Sequence, residues 1–151
     1  MRFEQTKDVL EHARSFHQRI SDFYHDLSEQ TGQQRLKLLL DYMAQREQEL
    51  AGALKQFTEG SSREVLDTWF QFCCDDETLK LCPDALLHKD MTLDEIISAG
   101  VALSQCFIDL FREIANTADS EQVRAVFQNL LESEEREQKK LVRNIEMFTD
   151  L

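Results

Sequence analysis

In the stretch LLESEEREQKKL, residues 130–141, the apolar seam that joins Leu130 to Leu141 passes through Glu134 and Glu137. A second seam, built from Leu36, Leu39/Leu40, Met43, Leu50, Leu54 and Phe57, passes through Glu47. A third, from Val9/Leu10 through Ala13, Ile20 and Phe23/Tyr24 to Leu27, carries His17. Carboxylates aimed into a helical interior have few stable uses. Left charged and unpaired each costs several kcal/mol, so each needs a hydrogen-bond partner, a proton held through a raised pKa, or a cation. One imidazole with up to three carboxylates is also an acceptable set for a divalent ion. The candidate site is therefore His17, Glu47, Glu134 and Glu137. Three readings compete. The groups form an internal cluster with Tyr24, Ser104 and water; they hold a single Fe, Mn or Zn ion; or the seam is misplaced by one position and the glutamates are solvated.

The elements that must position these residues follow from hydrophobic spacing. Apolar residues at three- and four-residue steps predict a first helix over about residues 5–30 and a second over 33–58. Between them TGQQ breaks the pattern, with Gly32 as the natural stop, and so short a connection makes the two helices antiparallel. Gly60 ends the second helix. Ser61 with Glu64 has the spacing of a capping box, predicting a short helix that carries Leu66, Trp69, Phe70 and Phe72. An irregular connection containing Pro83 follows. Thr92 with Glu95 caps a third helix to about residue 117, TADSEQ turns the chain, and a fourth helix fills about 119–149. No low-complexity linker divides the chain, so residues 1–151 read as one domain: hairpin 5–58, crossover 59–91, hairpin 92–149.

Composition narrows the function classes. Charged residues make up 30%, hydrophobic ones 42%, with only four Gly and one Pro, which favours an all-helical chain. A formal net charge of -12 argues against binding a phosphate backbone. No apolar run approaches the roughly 18 residues that span a bilayer, and the N-terminal MRFEQTKDVLEHARSF is charged where a signal peptide is apolar. Cys73, Cys74, Cys82 and Cys106 form no paired CxxC and are expected as free thiols in a cytoplasmic protein. A zinc site from the first three with His88 is geometrically conceivable, but no spacing singles it out. His12, His25 and His88 read as surface residues, and Arg46 as an exposed helix charge or a partner of a neighbouring carboxylate. No nucleophile beside a base and no phosphate-binding glycine loop is visible.

The two hairpins also match each other without a gap. In ISDFYHDLSEQTGQQRLKLLLDYMAQREQELAGAL against FIDLFREIANTADSEQVRAVFQNLLESEEREQKKL, Asp22 meets Asp109, Tyr24 meets Phe111, Met43 meets Leu130, Glu47 meets Glu134 and Leu54 meets Leu141. Two like antiparallel hairpins joined by a long connection make a four-helix bundle with one crossover. On FHQRISDFYHDL with LLLDYMAQREQEL, and on IDLFREI with FQNLLESEEREQKKL, the chain resembles the ferritin-like superfamily, and within it the rubrerythrin-type bundle. The resemblance implies an all-α, ferritin-like antiparallel four-helix bundle whose crossover contains a short helix. It also implies a di-metal centre, with a Glu on each of two helices and Glu-x-x-His on each of the others. Only Glu47 and Glu134 match that pattern. His17 and Ser104 stand where the lone glutamates belong, and Leu50 and Glu137 where the histidines belong. The expectation is a bundle without a complete di-iron site and without a cofactor, more interaction or structural protein than enzyme, working as a homodimer or with another protein partner and with neither nucleic acid nor membrane. A single-metal protein or oxidoreductase is the alternative.

Overall fold

A computed structural model describes residues 2–72, 88 and 90–149. In chain order these form β1 (Arg2–Gln5), α1 (Thr6–Gln30), α2 (Gln34–Gly60), α3 (Arg63–Leu66), β2 (Trp69–Phe72), α4 (Leu93–Thr117) and α5 (Glu121–Thr149). The four long helices are those expected from spacing. Along α1 the buried stripe runs Val9, Leu10, Ala13, His17, Ile20, Tyr24 and Leu27, the three-and-four rhythm of one helix face. At its end Thr31 turns extended, its N–H closing on the Leu27 carbonyl at 3.1 Å. No glycine has a positive φ, so Gly32 does not act as a left-handed stop. At the start of α4 the expected capping box forms: the Thr92 hydroxyl accepts from the Glu95 N–H, and the Glu95 carboxylate accepts from the Thr92 N–H.

The packing order positions everything else. α1 and α2 form one antiparallel hairpin, and α4 and α5 the other. Across the hairpins, His17 faces Phe107 while Tyr24 faces Gly100, so α4 runs antiparallel to α1. Arg35 donates to the Phe148 carbonyl and Asn144 to the Tyr42 hydroxyl, so α5 runs antiparallel to α2. α2 and α4 are then parallel. The chain from Gly60 to Leu93 must return along the length of α2, about 40 Å at 1.5 Å per residue. That is why the crossover is long. Tyr24, Phe111, Phe127, Leu103 and Met43 are among the fully buried side chains of the single core. Gly100 lets α4 come close: a Cβ there would sit 2.3 Å from the terminal carbon of Met43.

The crossover departs from expectation. Its short helix is one turn, Arg63–Leu66, and its N-cap is Ser62 accepting from the Val65 N–H; the Ser61–Glu64 box does not form. Trp69–Phe72 is not helical. It pairs antiparallel with β1, in register from Arg2 opposite Phe72 to Gln5 opposite Trp69, and the Thr6 N–H donates to the Thr68 carbonyl where this ribbon meets α1. Four aromatic and polar residues in a row, WFQF, suit a strand as well as a helix, and only a distant partner decides between them. Cys106 is disulfide-bonded, correcting the expectation of a free thiol. The other three cysteines of the conceivable zinc site, and Pro83, lie outside the described residues. Among the described residues no helix is long and apolar enough to cross a membrane.

Candidate functional site

His17, halfway along α1, lies at the centre of the bundle and is 1% exposed. Its Nδ1 meets the Glu47 carboxylate from α2, and its Nε2 lies 3.0 Å from Glu134 Oε1 on α5. Both glutamates are buried. From α4 the ring of Phe107 stacks on the imidazole, centroids 3.8 Å apart and planes within 14°. Each helix of the bundle thus contributes one wall. The two glutamates that align in the paired hairpins do converge, one on each ring nitrogen.

An ionised carboxylate accepts and does not donate, so with Glu47 and Glu134 both ionised the imidazole between them donates from both nitrogens. Burial alone would lower the His17 pKa. The charges of Glu47 and Glu134, with their hydrogen bonds, outweigh it and raise the pKa from 6.5 to about 9. The ring is an imidazolium at neutral pH. A second cation completes the cluster: Arg46, itself buried, donates from Nη1 to Glu47 Oε1 at 3.0 Å. Two cations and two carboxylates therefore neutralise one another inside the core. Arg46 takes the second of its two expected roles, and its register on α2 decides this. It lies one turn past Met43, on the flank of the seam rather than on the outer face.

The cluster is not fully satisfied. Glu134 Oε2, Ser104 Oγ, the Tyr24 hydroxyl, and Nε and Nη2 of Arg46 are buried without a hydrogen-bond partner. Tyr24 and Ser104, expected as partners of the carboxylates, are near the cluster but not bonded into it. Burial, then the charge of Glu47, pushes the Tyr24 pKa up against the opposing pull of Arg46, so the phenol stays protonated.

Glu137 is not part of this centre. Its side chain is 30% exposed and pairs with Lys140 at 3.3 Å. One helical turn past Glu134, it has rotated from the seam to the rim. His12, His25 and His88 are exposed as expected. Phe107 was not singled out from sequence; its signal was its place three residues after Ser104, on the same face of α4.

A di-metal centre does not fit these residues. Two ions would need the glutamate and histidine positions occupied by His17, Ser104, Leu50 and Glu137. Among the described residues no three His, Cys, Asp or Glu side chains converge in an arrangement that could hold a metal ion.

No family model matches the chain, and no curated protein matches it. Among solved structures it is similar to a protein from Thermotoga maritima provisionally described as ferritin-like and diiron-carboxylate. The two share 18% identity with a TM-score of 0.59, over 95% of each chain.

Proposed function

The chain has a ferritin-like fold, and from that premise we propose that its centre is an internal ion cluster in the place where such bundles carry metal, and that the protein works by contact with other proteins rather than by oxidation chemistry. One observation carries this reading: His17 engages both Glu47 and Glu134, the only two residues that match the metal-ligand pattern. An imidazolium and a guanidinium supply the positive charge that metal ions would otherwise bring. The exposed Trp69, at 60% of its surface, gives the ribbon end an apolar contact point suited to a homodimer.

Elemental analysis of protein purified with iron, manganese and zinc in excess tests the first part. The expected result is far less than one metal per chain, with no change in melting temperature on adding Mn(II), Fe(II) or Zn(II). The partnerless Glu134 Oε2, Ser104 Oγ and Tyr24 hydroxyl favour a second reading, a single ion held by the carboxylates with His17 turned aside. An ion at 100 times its dissociation constant would add about 2.7 kcal/mol of stability. A melting shift of that kind, lost on combining Glu47→Gln with Glu134→Gln, would establish the second reading and overturn the first.

A further inference from the structure

Two large hydrophobic side chains stand in solvent at one end of the bundle, on neighbouring helices: Leu38 of α2, 46% exposed, and Met147 of α5, 69% exposed. The seam between α2 and α5 joins them. Arg35 donates to the Phe148 carbonyl at 2.7 Å, Asn144 donates to the Tyr42 hydroxyl at 2.9 Å, and the ring centroids of Tyr42 and Phe148 lie 5.6 Å apart. Leu38, three residues after Arg35 and four before Tyr42, shares their helix face. Met147 adjoins Phe148. These apolar side chains therefore border one groove between two antiparallel helices, with half-buried aromatic rings along it.

The groove continues into charge of one sign. Arg136, Lys140, Arg143 and Met147 recur at four-, three- and four-residue steps, a single stripe of α5. Lys140 pairs with Glu137. Arg136 and Arg143 are exposed and have no ion-pair partner among the described residues, in a chain where acidic residues outnumber basic ones 29 to 17. A partner that brings carboxylates would complete both while covering the apolar end.

Shape and charge together select that partner. A groove between two helices takes a third, anchored at three- and four-residue spacing. From Arg136 to Met147 the stripe runs about 16 Å, roughly three turns of such a helix. A second copy paired two-fold on this patch would set Arg143 near Arg143, like against like. An anionic membrane or a nucleic acid is an extended polyanion, and it would also confront the rest of a chain of net charge -12. A short acidic helix meets the stripe alone, because charges beyond about 8 Å are largely screened at 0.15 M salt.

We infer that this end of the α2/α5 face is a docking site for an acidic amphipathic helix of a partner protein, its apolar residues seated on Leu38, Tyr42 and Met147 and its carboxylates on Arg143 and Arg136. The inference rests on the proposed contact function and gives it a surface separate from Trp69.

The probe is a fluorescently labelled, alanine-based peptide of about 16 residues, with leucines at helical spacing in one half and glutamates at helical spacing in the other. Anisotropy titrations with the full chain are expected to show saturable binding at micromolar concentration, several-fold weaker as salt rises from about 0.01 M to about 0.15 M. A peptide with lysine for glutamate is expected to bind at least ten-fold more weakly. Arg136→Gln combined with Arg143→Gln is expected to weaken the parent peptide at least ten-fold, and Leu38→Ser at least three-fold, with helical circular dichroism unchanged because all three positions are exposed. No saturable binding, equal binding of the lysine peptide, or a double variant that binds like the parent would each overturn the site. So would phosphatidylserine vesicles that capture the chain and displace the peptide, or a self-association abolished by Leu38→Ser, which would assign the face to lipid or to a second copy. Binding lost in Trp69→Ser but kept in the α2/α5 variants would overturn this surface and leave the contact function standing. Metal content is measured separately and bears only on the ion cluster.

Discussion

His17 holds the centre together only while it is charged, which makes its protonation a stability statement. Its folded pKa, about 9, is raised above the 6.5 of an exposed imidazole. The folded state therefore binds the extra proton between those values, so the contribution is fully present below about pH 6.5 and is lost as pH rises through 9. A rise of that size corresponds to something on the order of 3 kcal/mol. Urea midpoints measured from pH 6 to pH 10 are expected to fall across this window in the parent and to stay nearly flat in His17→Gln; equal slopes would refute an imidazolium at the centre. The carboxylates are not equivalent. Glu47→Gln strips both His17 and Arg46 of a buried counter-charge and is expected to cost roughly 3–5 kcal/mol, the range for breaking a buried ion pair. Glu134→Gln, which meets His17 alone, is expected to cost less, and chemical denaturation of the two side by side checks the order. At this scale the sequence was readable where a seam crosses a polar residue, as at His17, Glu47 and Glu134. It failed at Glu137, where one turn of helical drift carries a carboxylate from interior to rim, a difference a periodic pattern does not resolve.

The helices are where the sequence was most legible, because three-and-four spacing over twenty or more residues leaves little choice of element or face. Helix limits were legible at Gln30, Gly60 and Thr92, but the device was misread at two of the junctions: Thr31 closes α1 with no left-handed glycine, and Ser62 rather than Ser61 caps the short helix. β1 and β2 were illegible for a further reason: four-residue strands gain their stability from each other, across the whole of the first hairpin. Within α2 the sequence carries a cost that nothing in the packing repays. Gly52 is exposed in the helix interior, and a Cβ there would meet nothing within 4 Å. Gly52→Ala is expected to stabilise the protein by about 0.5–1 kcal/mol through the lost flexibility of the unfolded chain. A gain in melting temperature of about 2 °C or more would register it. Gly100 is the contrasting case. A methyl there must displace the buried Met43 terminus, which offsets the same helical gain, so Gly100→Ala is expected to fall short of Gly52→Ala in the same melt.

For the molecule as a whole, charge and exposed surface pull in opposite directions. A net charge of -12 on each chain repels a second copy, while Trp69 on the ribbon presents a large aromatic surface that association would cover. The range of the repulsion depends on salt: the Debye length is about 30 Å at 0.01 M and about 8 Å at 0.15 M. An apolar contact between two acidic copies should then strengthen as salt rises, the reverse of a contact made by opposite charges. Sedimentation velocity at fixed protein concentration is expected to move from monomer toward dimer between these two ionic strengths. The chain has a single tryptophan, so its fluorescence reports this one position. Quenching by acrylamide, which is neutral and insensitive to the protein's charge, is expected to fall over the same salt range, and Trp69→Ser is expected to remain monomeric throughout. A parent that stays monomeric at both ionic strengths with Trp69 equally quenched would remove the ribbon end as a self-association surface. A dimer that survives Trp69→Ser would move the contact elsewhere on the bundle.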